Sequence, residues 1–207
     1  LWGQILAGWM GYREDMIEKV AITGILHDIG ILKFTQNELD DFSFHKELEM
    51  GAFSKHSMYG YELVKNKDLD QSIKQAVLTH HEHADGSGFP LGVDNKSLNP
   101  IQRVIEIVDV YDTLLMREPG FKRMSPFEVL IQLNEVEGNK YDPSALLIFT
   151  SRLAQTFIQC RVRLNNGQEG KIVLFNKYSI LRPLIQVGSG FVDLALRKDL
   201  NIVELLD

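Results

Sequence analysis

The stretch His80-His81-Glu82-His83-Ala84-Asp85-Gly86-Ser87-Gly88-Phe89-Pro90 sets two adjacent imidazoles, two carboxylates and a glycine/proline turn side by side. Upstream, Asp70 has the place of a helix N-cap, and Ile73, Ala76, Val77, His80 and His81 follow at i, i+3, i+4, i+7 and i+8. Both histidines therefore share the apolar, core-facing stripe. One inward histidine is readily explained as a core residue bonded to backbone. Two neighbours, each with polar nitrogens to satisfy, point instead to one wall of a metal centre, because histidine is the commonest metal ligand.

The same pattern recurs along the chain. Arg13-Glu14-Asp15 opens an amphipathic helix that should end near Gly30, with Ile17, Val20, Gly24 and His27 on its inner face and Asp28 next to His27. Read alone, that pair serves equally as a metal site or as a cap and a core polar group. Ser54 is expected to cap a helix carrying His56, Gly60, Leu63 and Val64 on one stripe, with Tyr59 and Tyr61 read first as core aromatics and, in an open site, as rings that stack on a substrate base. Asn99-Pro100 opens a helix to about Met116, with Ile101, Ile105, Val108, Asp109, Asp112 and Leu115 on one face. An aspartate amid aliphatic residues is costly to bury unless a positive charge meets it. Asp109 is thus a metal-ligand candidate, Asp112 a supporting carboxylate, and Arg103 on the flank a partner for carboxylate or phosphate. Residues 31 to 54 read as a loop or short helices covering the site, and His45 among charged neighbours reads as a surface residue.

Four helices each supply inward His or Asp: His27-Asp28, His56, His80-His81 and Asp109. Six mixed nitrogen and oxygen donors exceed what one tetrahedral zinc takes, so a site of at least two metals accommodates them most simply, with Asp28 bridging. Two ions roughly 3.5–4 Å apart are a standard device for phosphate-ester hydrolysis, in which a bridging hydroxide attacks phosphorus.

Composition bounds the reading. The 207 residues are 44% hydrophobic and 24% charged, ordinary for one sizeable core with a small appended module. Twenty-two Lys and Arg against 28 Asp and Glu leave a net charge of −6, which argues against binding a DNA or RNA polymer through its backbone. A single cysteine, Cys160, excludes an intramolecular disulfide; with no signal peptide and no long apolar span, it favours a reducing, cytoplasmic setting without membrane insertion of this segment. A start at Leu1 inside a helical pattern (Ile5, Leu6, Trp9) suggests a fragment with a further segment upstream.

Toward the C-terminus, Arg117, Lys122 and Arg123 mark a cationic turn that reads either as a solvated loop or as phosphate contacts. Ser125-Pro126-Phe127-Glu128 has the form of a capping box. Asp142-Pro143 starts a last helix to about Thr156, with Leu146, Leu147, Phe149 and Leu153 facing the core. At Phe157 the pattern becomes strand-like: alternation through Leu164, an Asn165-Asn166-Gly167 hairpin turn, then strands at Lys171–Phe175, Leu181–Val187 and Phe191–Leu196. The expected architecture is therefore mainly α, a helical bundle over residues 1–156, with a small β-rich module over 157–207 that packs on the helical domain or mediates a homodimer.

The set His27-Asp28-Ile29-Gly30, Lys55-His56 with Gly60, His80-His81-Glu82 with Asp85-Gly86-Ser87-Gly88-Phe89-Pro90, and Arg103 with Asp109-Val110-Tyr111-Asp112 resembles the HD-GYP family of bacterial phosphodiesterases. The resemblance covers about residues 10 to 155. It implies a helical HD-type core, a centre of two or three divalent ions, iron or manganese, and hydrolysis of cyclic di-GMP to the linear dinucleotide pGpG or to GMP. It implies metal ligation by His27, Asp28, His56, His80, His81 and Asp109, with His27 and Asp28 nearest the chemistry. Substrate contacts are implied for Arg103 and the signature loop of Gly86, Gly88, Phe89 and Pro90, and Lys122 and Arg123 of the cationic turn are added as candidate phosphate contacts; Glu82, Asp85 and Asp112 support the ligands.

The chain departs from the family pattern at three places. Ile31 stands where a Lys commonly follows the His-Asp-Ile-Gly run, Phe89 replaces a Tyr, and His83 stands where Lys or Arg is common. The complete ligand set favours an active phosphodiesterase. The cation absent at Ile31 and the hydroxyl absent at Phe89 favour the alternative, a weakly active or inactive domain that binds a cyclic dinucleotide or a signalling protein partner.

Overall fold

Asp70 accepts a hydrogen bond from the Ser72 amide at 2.8 Å and starts a helix at Gln71, as its place before the apolar stripe predicts. The computed structural model describes residues 1–39, 53–94, 96–116, 124–136, 138–176 and 178–206. His45, Arg117, Lys122 and Arg123 lie outside the described residues, as does most of the expected cover. The helices are α1 (Trp2–Trp9), α2 (Glu14–Leu26), α3 (His56–Val64), α4 (Gln71–Thr79), α5 (Pro100–Leu115), α6 (Pro126–Ile131) and α7 (Pro143–Gln155), with 3₁₀ turns at Ile29–Lys33, Phe53–Lys55 and Gly138–Lys140.

The chain divides into two compact units, Leu1–Val110 with Asn139–Ala145, and Tyr111–Gly138 with Leu146–Asp207. In the first, α1 packs on α2, α2 on α4, and α3 on both α4 and the Ile29–Lys33 turn. Leu6, Ala7, Val20, Ile73, Ala76, Val77, Ile101, Val104 and Ile107 are fully or almost fully buried and form its core. Gly30 makes the α3 packing possible: a Cβ there would fall 2.5 Å from the Gly60 amide nitrogen and 2.8 Å from the His56 carbonyl carbon, distances side chains do not adopt.

In the second unit, Ser125 and Glu128 form the expected reciprocal capping box at the start of α6. Phe127, Leu130, Leu133 and Phe149 are buried, and Tyr111 meets Phe149 edge to face at 5.1 Å. The sheet has strands β1 (Arg161–Leu164), β2 (Glu169–Asn176), β3 (Ser179–Val187), β4 (Gly190–Asp193) and β5 (Ile202–Leu205), all pairs antiparallel, in the order β4-β3-β2-β1-β5. Alternation carries the inner face: Val162, Leu164, Ile172, Ile185 and Ile202 are buried, while Arg161, Glu169, Lys171 and Gln186 are exposed. Phe127 of α6 approaches Phe175 of β2, centroids 6.4 Å apart, so the sheet is packed on helix.

Several element ends differ from expectation. The α-helix carrying His27 ends at Leu26 rather than near Gly30, because the chain tightens into the 3₁₀ turn at Ile29. Ser54 does not cap α3; it sits inside a 3₁₀ turn that runs directly into the helix, and Lys55 takes the cap position without a side-chain bond to the helix end. Helix α4 stops at Thr79, leaving His80 as its C-cap and His81 just beyond. Leu147 is 57% exposed, because the buried face of α7 runs through Leu146, Phe149 and Leu153 instead. Strand β5 lacks an alternating apolar signature in the sequence and exists through its pairing with β1.

Candidate metal centre

Every residue of the centre belongs to the first unit. Asp28 follows the end of α2, and its carboxylate is the exposed member of the cluster, with a side chain 42% accessible. Around it, His56 at the start of α3 is fully buried, as is His80 at the end of α4, and His81 is nearly so. His56 Nε2 lies 2.9 Å from His80 Nε2 and 3.1 Å from His81 Nε2. Asp28 Oδ1 is 3.3 Å from His56 Nε2 and 3.8 Å from His80 Nε2. These four residues offer ligand atoms that all lie within 4.8 Å of one another.

The other carboxylate oxygen of Asp28 turns elsewhere. Oδ2 lies 3.5 Å from His27 Nε2, and His27 Nε2 in turn lies 3.4 Å from Asp109 Oδ1, contributed by the middle of α5. One carboxylate thus serves two groups of donors, His56, His80 and His81 on one side, His27 and Asp109 on the other. That division is what a shared ligand of a two-ion site requires.

Tautomers are set by backbone. His80 Nδ1–H donates to the Val77 carbonyl at 2.9 Å and His27 Nδ1–H to Gly24 at 3.0 Å, each one helical turn back, so each ring directs Nε2 into the site. Lone pairs held about 3 Å apart repel unless a proton or a cation lies between them. Two donors at about 2.1 Å from one octahedral ion are themselves about 3 Å apart, so the His56, His80 and His81 spacings fit a single divalent ion. Imidazoles with a carboxylate also suit a transition metal better than calcium or magnesium.

Electrostatics divide the two sides further. Burial, reinforced by the like charges of His56 and His27, lowers His80 to about 3, and burial with the same neighbours holds His81 well below the usual histidine range. Both rings are neutral at pH 7 and able to ligate. Burial disfavours the charged form of His27 too, but the hydrogen bond to Asp109 and the charges of Asp28 and Asp109 outweigh it and raise His27 to about 9.

The signature loop closes over the His81 side. Phe89 stacks on His81 with centroids 4.8 Å apart and planes at 23°, and its amide donates to the His81 carbonyl at 3.1 Å. Gly88 lies so close to the backbone of residues 81–83 that a Cβ would fall 2.5 Å from both Glu82 Cα and His83 N, while Gly86 takes a positive φ of 78°. The Phe89–Pro90 peptide bond is cis. Buried Glu82 accepts from the amides of Leu91, Gly92 (3.2 Å) and Val93 (3.0 Å), so its role is to anchor the loop. Asp85 accepts from the Ser87 amide and hydroxyl and shapes the exposed turn.

Two further sequence candidates have surroundings of their own. Arg103 pairs with Asp142 at 3.0 Å, whose other oxygen caps α7 at Ser144 and Ala145. Asp112, one turn beyond Asp109, is exposed. Sequence reasoning missed Glu106 and Gln102, both buried: Glu106 Oε1 meets His83 Nδ1 at 2.7 Å, and Gln102 Nε2 donates to the Glu82 carbonyl at 2.8 Å. The one available signal was a charged residue on the aliphatic face of α5, three residues before Asp109.

Residues 6–145 match the HD domain family, and the chain belongs to it. Curated relatives that the chain matches are named as cyclic-dinucleotide phosphodiesterases. It is 24% identical over 183 residues to a cyclic di-GMP phosphodiesterase of Pseudomonas aeruginosa, covering 88% of this chain and 44% of that one. It is 28% identical over 156 residues to the cyclic di-GMP phosphodiesterase response regulator RpfG of Xanthomonas campestris, covering 73% and 41%. It is 28% identical over 163 residues to a 3'3'-cGAMP-specific phosphodiesterase of Vibrio cholerae, covering 77% and 37%. The chain thus spans less than half the length of these curated relatives. Among solved structures, an HDG"Y"P protein of Bdellovibrio bacteriovorus superposes with a TM-score of 0.57 at 21% identity, covering 72% of this chain and 47% of that one, which establishes the helical HD fold. Among the described residues no helix is long and apolar enough to cross a membrane.

Proposed function

We propose that this chain carries a metal-dependent phosphodiesterase centre that hydrolyses a 3'3'-cyclic dinucleotide, cyclic di-GMP first, to pGpG or GMP. The observation that carries the reading is the division of Asp28, one oxygen toward His56 and His80, the other toward His27, with Asp109 beyond. Relatives that the chain matches over most of its own length act on cyclic di-GMP or cGAMP, which supports the substrate class.

In this reading His56, His80, His81 and Asp28 would hold one ion, and His27 and Asp109, beside the same Asp28, would hold a second. Bound divalent ions, iron or manganese, would supply Lewis acidity and water deprotonated near neutral pH. The protein's own contribution is placement. Backbone carbonyls lock the imidazole tautomers of His27 and His80, burial keeps His80 and His81 neutral, and the Phe89 ring shields His81 from water. Exposure of Asp28 leaves the shared carboxylate open to an incoming phosphodiester. Arg103, a candidate for phosphate contact, is paired with Asp142 at 3.0 Å.

The deciding experiment is mass-spectrometric detection of product after anaerobically prepared, iron- or manganese-loaded protein is incubated with cyclic di-GMP or 3'3'-cGAMP, with Asp28→Ala as the blank. Product above that blank is the expected result. A metal-replete protein that yields none from either nucleotide overturns the enzyme reading in favour of a binding module.

A further inference from the structure

We infer that the buried His83–Glu106 pair, joined by Gln102, is a positioning strut that sets the spacing between the two halves of the metal centre. The inference rests on the two-ion reading above and adds residues outside the ligand set.

His83, Glu106 and Gln102 are 3%, 2% and 0% exposed. Burying an acid and an imidazole together costs solvation that a well-packed apolar pair of the same size would avoid, so the directional bond between them invites a reason beyond stability. The geometry supplies one. Glu106 receives His83 Nδ1 on Oε1 at 2.7 Å and Gln102 Nε2 on Oε2 at 3.2 Å, and the same Gln102 amide donates to the Glu82 carbonyl at 2.8 Å. Helix α5 therefore grips the 82–83 segment twice, once by side chain and once by backbone.

What each end of the strut carries gives it meaning. Glu106 stands three residues before Asp109, about one helical turn along α5, so the two share a face. His83 stands two residues after His81 and three after His80. The strut thus ties the carrier of the three-histidine side to the carrier of the His27–Asp109 side. The two sides also meet where α2 packs on α4, where the His27 and His80 rings approach edge to face at 5.2 Å, and through the side chains that converge on Asp28; the strut acts directly on the turn after Thr79 that carries His80 and His81. Gly88 and the Phe89 amide hold residues 81–83 from the loop side, and Gln102 and Glu106 hold them from the helix side.

The test compares the parent, Glu106→Ala and the double variant His83→Phe/Glu106→Leu. The double variant replaces both partners by apolar groups of similar size, an exchange that leaves fold stability nearly unchanged and so isolates the directional role. Metal-free protein is titrated with Mn²⁺ by calorimetry, and the two-equivalent sample is examined by electron paramagnetic resonance for the exchange-coupled signature of a close Mn²⁺ pair. The parent is expected to take up two ions and show coupling. Both variants are expected to lose affinity for one of the two ions by about tenfold or more, with an uncoupled spectrum, while the double variant melts within a few degrees of the parent. Two-ion affinities within threefold of the parent, with coupling retained in the double variant, overturn the strut alone. A parent that binds fewer than two ions overturns the two-ion reading and the strut with it.

Discussion

Gly30→Ala places one methyl group where the turn that follows Asp28 crosses the start of α3. The new Cβ would sit 2.5 Å from Gly60 N and 2.8 Å from the His56 carbonyl carbon, and closer still to the His56 carbonyl oxygen. Ordinary contact begins near 3.4 Å, and all three obstacles are backbone, so no side chain can swing aside. The segments must part by about 1 Å. Overpacking of this kind costs about 1–3 kcal/mol, which a folded domain survives. The site is less tolerant. Asp28 is two residues upstream of the methyl group, and His56 is the residue it displaces, so the 3.3 Å approach of Asp28 Oδ1 to His56 Nε2 opens by a similar amount. A misplacement of about 1 Å costs a reaction on the order of 100-fold. The assay is thermal unfolding by circular dichroism, bound metal per chain by elemental analysis, and kcat/KM for cyclic di-GMP on one preparation. The expected variant is folded, melts several degrees lower, binds less metal and is about 100-fold slower. Parental metal content and a rate within threefold of the parent would refute the claim that this crossing holds the shared carboxylate in place.

Gly88→Ala should cost more activity than Gly86→Ala, because the first collides with the backbone of residues 81–83 whereas the second meets only the Gly92 carbonyl oxygen at 3.8 Å and pays for its φ of 78° alone; equal kinetics for the two would sink this account of the loop. Metal uptake should release at least one proton per chain near pH 7.5, read by calorimetry in buffers of different ionisation enthalpy, because His27 holds its proton up to about 9 whereas His80, lowered to about 3, holds none at that pH. Affinity should accordingly rise with pH until about 9. The linked stability of metal-free protein follows the same signs: the contribution of His27 is fully present below pH 6.5 and lost as pH rises through about 9, whereas that of His80 is present above 6.5 and lost as pH falls toward about 3. Glu82→Gln removes the charge that three backbone amides converge on, and hydrogen exchange at Leu91, Gly92 and Val93 should accelerate relative to the parent while α4 is unaffected. Phe149→Ala in the second unit should lower stability by about 3–5 kcal/mol, measured by urea unfolding, since the ring is fully buried against Tyr111.

The sequence by itself determined the residue types of the centre and the helices that bear them. Asp70, the Ser125–Glu128 box and the apolar stripes act within one or two turns, so their consequences can be read along the chain. Spacing alone also predicted that His80 and His81 are buried beside Ala76 and Val77, as they are. Element ends were less legible: the 3₁₀ turns at Ile29 and Phe53 replace the expected helix end and the expected Ser54 cap, because packing of α3 against Gly30 outweighs local preference. Tertiary structure alone decided which oxygen of Asp28 faces which histidine, that Arg103 is taken by Asp142, that Glu82 anchors residues 91–93, and that His83 meets Glu106. The physical reason is reach. Periodicity states which face of an element turns inward, but the partner of a buried polar group is whatever lies opposite once the elements have packed, and for His83 that partner is 23 residues away along the chain.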